Sequence, residues 1–301
     1  MSRLRNPVAA TGIHEKPLST AAEIAPQSNI IAQTRPGQEI ICEEAGHIYN
    51  YEMASMSAIA GVLPRIVTGQ DGILSWETIS KAIRPKIYYR PQTALISLEN
   101  THNMAGGTVT PLPVLEGIWA GAREAGLPVH LDGARIFNAV VKLQIDERAA
   151  VAGFDSVSVC LSKGLGAPAG SVLLGSRDLI AQARRWRKVL GGGMRQAGVL
   201  AAAGLYALEH HVRLLAQDHA NAGFLADGLR ALGLHVEPPQ TNILYVQIPV
   251  KNVEGLKSHL DERGILATVG TRTRLVTHLD VPRPKIETVL QAFRDYPHWD
   301  F

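Results

Sequence analysis

Short apolar runs punctuate the chain from Glu39 to about residue 215, with helical patterns between them. Glu39-Ile-Ile-Cys42, Thr93-Ala-Leu-Ile-Ser-Leu98, Val129-His-Leu131, Ser156-Val-Ser-Val-Cys-Leu161 and Gly170-Ser-Val-Leu-Leu174 are too short for stable helices and rich in aliphatic residues. Each reads as a buried strand. Thr110-Pro111 opens a helix that stops near Gly126, Ser176 can cap a helix over 177–189, and a long helix is predicted from about 197 to 218. Alternation of this kind predicts an α/β fold with a largely parallel sheet covered on both faces. From about residue 219 the pattern changes to a helix, a strand at Ile243–Ile248, a helix over 253–263, strands near Ile265 and Leu275, and a last helix from Lys285. That is a smaller α+β unit. The expected division is therefore 1–30 as an atypical segment with little to order it, 31–218 as the large domain and 219–301 as the small one.

Two of the predicted strands end in residues that carry chemistry. The strand at 156–161 runs into Ser162-Lys163-Gly164, and the strand at 129–131 runs into Asp132-Gly133-Ala134-Arg135. Alone, a strand-end lysine is more often a solvated rim charge, and a strand-end aspartate is a common helix cap. Together they are the two groups that a pyridoxal phosphate enzyme cannot easily omit. The amine can condense with the cofactor aldehyde, and the carboxylate can keep the pyridine nitrogen protonated so that the ring accepts electrons.

The words around these residues extend the pattern. His130-Leu-Asp-Gly-Ala-Arg-Ile-Phe-Asn-Ala139, Leu98-Glu-Asn-Thr-His-Asn103 followed by Gly106-Gly107, and Ser162-Lys-Gly-Leu-Gly-Ala-Pro168 resemble the low-specificity threonine aldolases of the β-eliminating lyase group. Leu190-Gly-Gly-Gly-Met-Arg-Gln196 and Arg274-Leu-Val-Thr-His-Leu-Asp280 follow in the order that family has, so the likeness covers roughly residues 30 to 290. It implies an aminotransferase-like large domain of fold type I with pyridoxal 5'-phosphate as cofactor. It also implies a carbon–carbon lyase that cleaves L-threonine or L-allo-threonine to glycine and acetaldehyde.

The resemblance assigns roles residue by residue. Lys163 would hold the cofactor covalently and Asp132 would pair with its ring nitrogen. His47, in Ala45-Gly-His-Ile-Tyr49, matches the histidine that stacks over the ring, and Arg135 and Arg274 match the arginines that hold the substrate carboxylate. A planar guanidinium fork suits that task. The base for the β-hydroxyl is open among His47, His102 and a water held between them. Arg195, after Gly191–Gly193, matches an arginine that reaches the cofactor phosphate of a neighbouring subunit, which implies a homo-oligomer, dimer or tetramer, with shared active sites.

The front of the chain departs from the family pattern. Similar enzymes carry an Arg-Ser-Asp-Thr segment and a Ser-Gly-Thr loop that cradles the cofactor phosphate at a helix N-terminus. Neither precedes Thr34-Arg-Pro-Gly37; Pro26 interrupts the region, and a short helix over 29–34 is what is expected there. Two other outcomes follow from this departure: a homologue that associates but binds cofactor poorly, or another pyridoxal-dependent elimination or transamination on the same scaffold.

Composition narrows the rest. The 301 residues, 46 % of them apolar, can bury a large core, and a net charge of +3 gives no electrostatic excess on the scale of nucleic-acid binding. Arg184, Arg185, Arg187 and Lys188 read as one solvated or subunit-facing helix face. Cys42 and Cys160 read as buried thiols of a reducing compartment, and no Cys/His cluster has metal spacing. Gly164-Leu-Gly-Ala-Pro-Ala-Gly170 has the wrong glycine spacing for a dinucleotide loop, and adjacent His210 and His211 do not share a helix face. No h-region and no run of eighteen apolar residues is present, so the expectation is a cytoplasmic enzyme.

Overall fold

The computed structural model describes residues 19–20 and 25–299. Seven strands form one sheet: β1 (Ser19–Thr20), β2 (Glu39–Glu43), β3 (Leu63–Val67), β4 (Thr93–Glu99), β5 (Val129–Asp132), β6 (Ser156–Cys160) and β7 (Ser171–Gly175), in the order β1-β7-β6-β5-β4-β2-β3. The run from β3 through β2, β4 and β5 to β6 is parallel. At the other edge β7 runs antiparallel to β6, and β1 antiparallel to β7. The reason is the connection: β6 reaches β7 through a loop without a helix, and a parallel return needs a crossover of a dozen or more residues.

The central strands are apolar because both faces are covered. Every residue of β2 and of β5 is buried. Helices Leu112–Ala125 and Arg177–Val189 form as expected, the second capped by Ser176, whose Oγ accepts the Leu179 N–H. The first helix runs over Ala25–Gln33, a turn longer than expected, with Pro26 in its first turn, where the missing N–H costs nothing. Expectations for residues 1–18 and 21–24, including the missing phosphate loop, lie outside the described residues.

The chain divides into two compact units, 1–212 and 213–301. The single helix expected over 197–218 is instead two, Gly198–His210 and Leu215–Ala231, separated by a tight turn at Val212–Leu214. The unit boundary falls in that break. His211, just before it, is held through Nδ1 by the Leu165 carbonyl at 2.6 Å. In the second unit β8 (Ile243–Gln247) and β9 (Arg272–Val276) pair antiparallel, beside helices Val253–Asp261 and Arg283–Arg294. The strand expected near Ile265 does not form; its apolar side chain packs on the unit's core from irregular backbone. That core centres on Leu229, Leu244, Val246, Leu256 and Phe293, each buried side chain contributing about 1.5–3 kcal/mol. Among the described residues no helix is long and apolar enough to cross a membrane.

What matters for function is the edge where the parallel strands end. Glu43, Glu99, Asp132 and Cys160 are the last residues of β2, β4, β5 and β6. Open α/β sheets bind ligands along that edge.

Candidate active site

An open cleft of about 890 Å³ lies within the first unit, and Lys163, Asp132 and His47 all line it. Their convergence follows from topology. Adjacent parallel strands bring Asp132 and the loop after Cys160 to one edge, and that loop is pinned where Leu161 N–H donates to the Gly170 carbonyl and Gly166 N–H to the Lys163 carbonyl, both at 2.9 Å. The Lys163 side chain is half-buried.

Asp132 is 9 % exposed, and its Oδ1 accepts the Ala134 N–H at 3.1 Å. Among the described residues no lysine, arginine or histidine reaches its carboxylate at ion-pair distance. A buried carboxylate without a cation is costly unless a ligand supplies one. A protonated pyridine nitrogen would do so, and Lys163 in the same cleft offers the amine that an aldehyde needs. The donor set fits pyridoxal phosphate.

His47 opens the short helix His47–Asn50. Its Nδ1 lies 3.2 Å from Glu52 Oε1, and Glu52 also accepts a hydrogen bond from Gln27. Tyr51 packs against the imidazole with ring centroids 5.3 Å apart. The Glu52 carboxylate raises the His47 pKa above the ordinary imidazole range, overcoming partial burial, and Asp132 adds to the effect. With Nδ1–H given to Glu52, the neutral ring keeps its Nε2 lone pair for a proton in the cleft.

His102 is placed differently. It is 1 % exposed and sits behind the cleft, with Nε2 3.0 Å from Glu43 Oε2 and Nδ1 accepting the Ala105 N–H at 3.2 Å. Both ring nitrogens are engaged within the protein, so the ring has no lone pair directed at the cleft. Burial opposes its charge, but Glu43 and Glu99 raise its pKa above the usual value, whereas the Ala105 N–H favours the neutral ring. The Glu43 carboxyl is held below its ordinary range despite burial, through hydrogen bonds from His102 and from the Ala45 and Gly69 amides. Burial, then the neighbouring Asp132 charge, pushes Glu99 upward.

The arginines separate by unit. Arg135 donates to Asn103 Oδ1 at 3.0 Å, which ties the turn after β5 to the turn after β4. Arg274 lies on β9 in the second unit, opposite Tyr245. Arg195 is exposed in the turn after Gly191–Gly193. Cys160 corrects an expectation: it is not buried but half-exposed in the cleft wall, with Sγ 3.3 Å from Ser162 Oγ. Cys42 is buried, and desolvation pushes its thiol up to about 12.

Sequence reading missed Glu52, Tyr51, Glu43 and Glu99. For Tyr51 the signal was available, since 47 and 51 are i,i+4 neighbours if the segment is helical, whereas Glu52 lies beyond the end of that helix. Glu43 and Glu99 carried only their place at the ends of apolar runs.

A strand-end lysine and an uncompensated aspartate at the carboxyl edge of this sheet define a pyridoxal phosphate-dependent enzyme of fold type I. Solved structures of that fold superimpose closely. A threonine aldolase from Leishmania major gives a TM-score of 0.81 at 20 % identity, covering 95 % of this chain and 87 % of that one. A putative L-allo-threonine aldolase from Listeria monocytogenes gives 0.79 at 19 % identity, covering 95 % and 83 %. The sequence pattern described as Beta-eliminating lyase matches residues 20–251. The low specificity L-threonine aldolase of Escherichia coli K12 is 41 % identical over 274 residues, 90 % of this chain and 81 % of that protein. A probable low-specificity L-threonine aldolase 2 of Arabidopsis thaliana is 42 % identical over 273 residues, 87 % and 77 % of the two chains. This chain belongs to the beta-eliminating lyase family that includes the low-specificity L-threonine aldolases.

Proposed function

We propose that this chain uses pyridoxal phosphate to cleave L-threonine and L-allo-threonine to glycine and acetaldehyde. The observation that carries the reading is that Lys163, Asp132 and His47 line one cleft at the carboxyl ends of β5 and β6. The 41 % identity to the Escherichia coli aldolase supports the same choice of reaction.

In this reading Lys163 holds the cofactor and Asp132 pairs with its ring nitrogen. Bound there, pyridoxal phosphate supplies an electron sink for the pair left at Cα when the Cα–Cβ bond breaks. His47 would stack on the cofactor ring and accept the β-hydroxyl proton at Nε2, while Glu52 steadies the imidazole through Nδ1. The hydroxyl oxygen becomes the carbonyl of acetaldehyde, and return of a proton to Cα yields glycine. Arg135 holds the substrate carboxylate and so chooses which Cα bond stands ready to break. Arg195 reaches the cofactor phosphate of a neighbouring copy, which makes the working enzyme a homo-oligomer. The base role falls to His47 instead of His102, because His102 spends both nitrogens inside the protein.

The test is product analysis with purified protein, added pyridoxal phosphate and each threonine diastereomer. Equimolar glycine and acetaldehyde are expected from both. Ammonia with 2-oxobutyrate, transfer of the amino group to an oxo acid, or no product from either would overturn the proposal.

A further inference from the structure

Behind the cleft, one side chain bonds both the segment that carries His47 and the turn that holds Arg135. Glu99 ends β4, and its side chain is only 9 % exposed. Its Oε2 accepts the His47 N–H at 2.8 Å, and its Oε1 accepts the Asn103 N–H at 2.9 Å. His47 and Asn103 are 52 and 4 residues away in sequence. Beyond them stand the groups that the proposed reaction uses: the imidazole of His47 on one side, and on the other Arg135, whose guanidinium donates to Asn103 Oδ1 at 3.0 Å.

The geometry points to Glu99 as a positioning residue that couples the His47 segment to the Asn103 turn and through it to Arg135, setting the proton acceptor and the carboxylate clamp from a single carboxylate. This assignment rests on the roles proposed above for those two residues.

Three features make the link stiff. Glu99 is anchored in the sheet as the register partner of Asp132, so its backbone has little freedom. The His47–Asn50 helix has Gly46 at its cap position and no side-chain cap of its own, so its first amide depends on an acceptor from elsewhere. Gly46 also leaves room: a Cβ there would lie 3.0 Å from the Glu43 carbonyl oxygen and 3.9 Å from Glu99 Oε2. On the far side His102, held 3.0 Å from Glu43, has its Nε2 3.9 Å from Glu99 Oε2 and bounds the carboxylate from behind. Two acceptor oxygens facing two fixed donors admit no neutral substitute. An amide at position 99 must turn its NH₂ toward one of the two backbone N–H groups.

The experiment is Glu99→Gln in the full-length enzyme, read by residue-resolved amide exchange and by steady-state kinetics. The amide of His47 or of Asn103, whichever faces the new NH₂, should lose at least about tenfold of its protection, while the His102 amide, bonded to the Thr108 carbonyl, keeps its own. With threonine, kcat/KM should fall about 10²-fold, chiefly through kcat if the His47 amide is the one released and chiefly through KM if it is that of Asn103. Unchanged protection at both amides overturns the assignment, and so does a kcat/KM within twofold of wild type. Uniform loss of protection through β4 and β5 also overturns it, since that is a fold defect and not a local link. If Glu99→Gln does not fold, wild-type exchange decides: the His47 and Asn103 amides should exchange at least about tenfold more slowly than that of exposed Met53, and loop-like rates at both refute the link. Exchange needs no substrate, so a failure of the aldolase reading, seen as wild type releasing no glycine, is separable from a failure of this one.

Discussion

Glu99 and Asp132 stand side by side at one register of the β4–β5 ladder, two carboxylates on neighbouring strands at the carboxyl edge of the sheet. Like charges this close disfavour joint ionisation, and the effect appears on Glu99, whose pKa is raised by burial and by Asp132. Glu99 is compensated by two backbone N–H groups, whereas Asp132 has the Ala134 amide and the cleft. A cationic ring nitrogen held by Asp132 would complete that arrangement.

Asp132→Asn keeps the shape of the side chain and removes its charge. Losing one charge-assisted hydrogen bond of about 1.5–3 kcal/mol should weaken cofactor binding and kcat/KM by roughly ten- to a hundredfold each. Titration with pyridoxal phosphate, followed by kinetics at saturating cofactor, separates the two effects. Wild-type affinity together with wild-type turnover would remove Asp132 from the account.

The pH dependence follows from His47 and Glu52. To accept the hydroxyl proton His47 must be neutral, so kcat/KM should rise with pH through the His47 pKa. That pKa lies above the ordinary value because Glu52 favours the protonated ring. Glu52→Gln removes the carboxylate, lowers the His47 pKa and should move the acid limb of the profile to lower pH, leaving relatively more activity on the acid side. A limb that stays in place in Glu52→Gln means that another group controls it.

Much of this site is legible in the sequence, and the division is physical. Lys163 and Asp132 can be found because each ends an apolar strand, and parallel strands end on one edge. The Glu43–His102 and Glu99–His47 contacts cannot, because they join segments 59 and 52 residues apart, and no local pattern records which distant amide meets which carboxylate. His102 shows the limit most plainly. Asn100-Thr-His-Asn103 reads the same whether its imidazole faces the cleft or the interior, and it faces the interior. The unit boundary is similar: helix propensity continues across Val212, and only the break at Val212–Leu214 interrupts it.

Gly72 tests the packing around that buried histidine. It adopts a left-handed φ of +77°, and a Cβ there would lie 2.5 Å from Cγ of the His102 ring. Gly72→Ala must displace His102 or the turn, at a cost of about 1–3 kcal/mol plus the backbone penalty. A fall in Tm of several degrees is expected for the cofactor-free protein. An unchanged Tm would mean that the turn and the ring are not in contact.

Lys163 should capture the cofactor aldehyde in the cleft it shares with Asp132. The most direct measurement is borohydride reduction of the protein incubated with pyridoxal phosphate, followed by peptide mass mapping. One phosphopyridoxyl group per chain on Lys163, absent from Lys163→Ala, is the predicted result. Labelling that falls on other lysines, or that persists unchanged in Lys163→Ala, contradicts it.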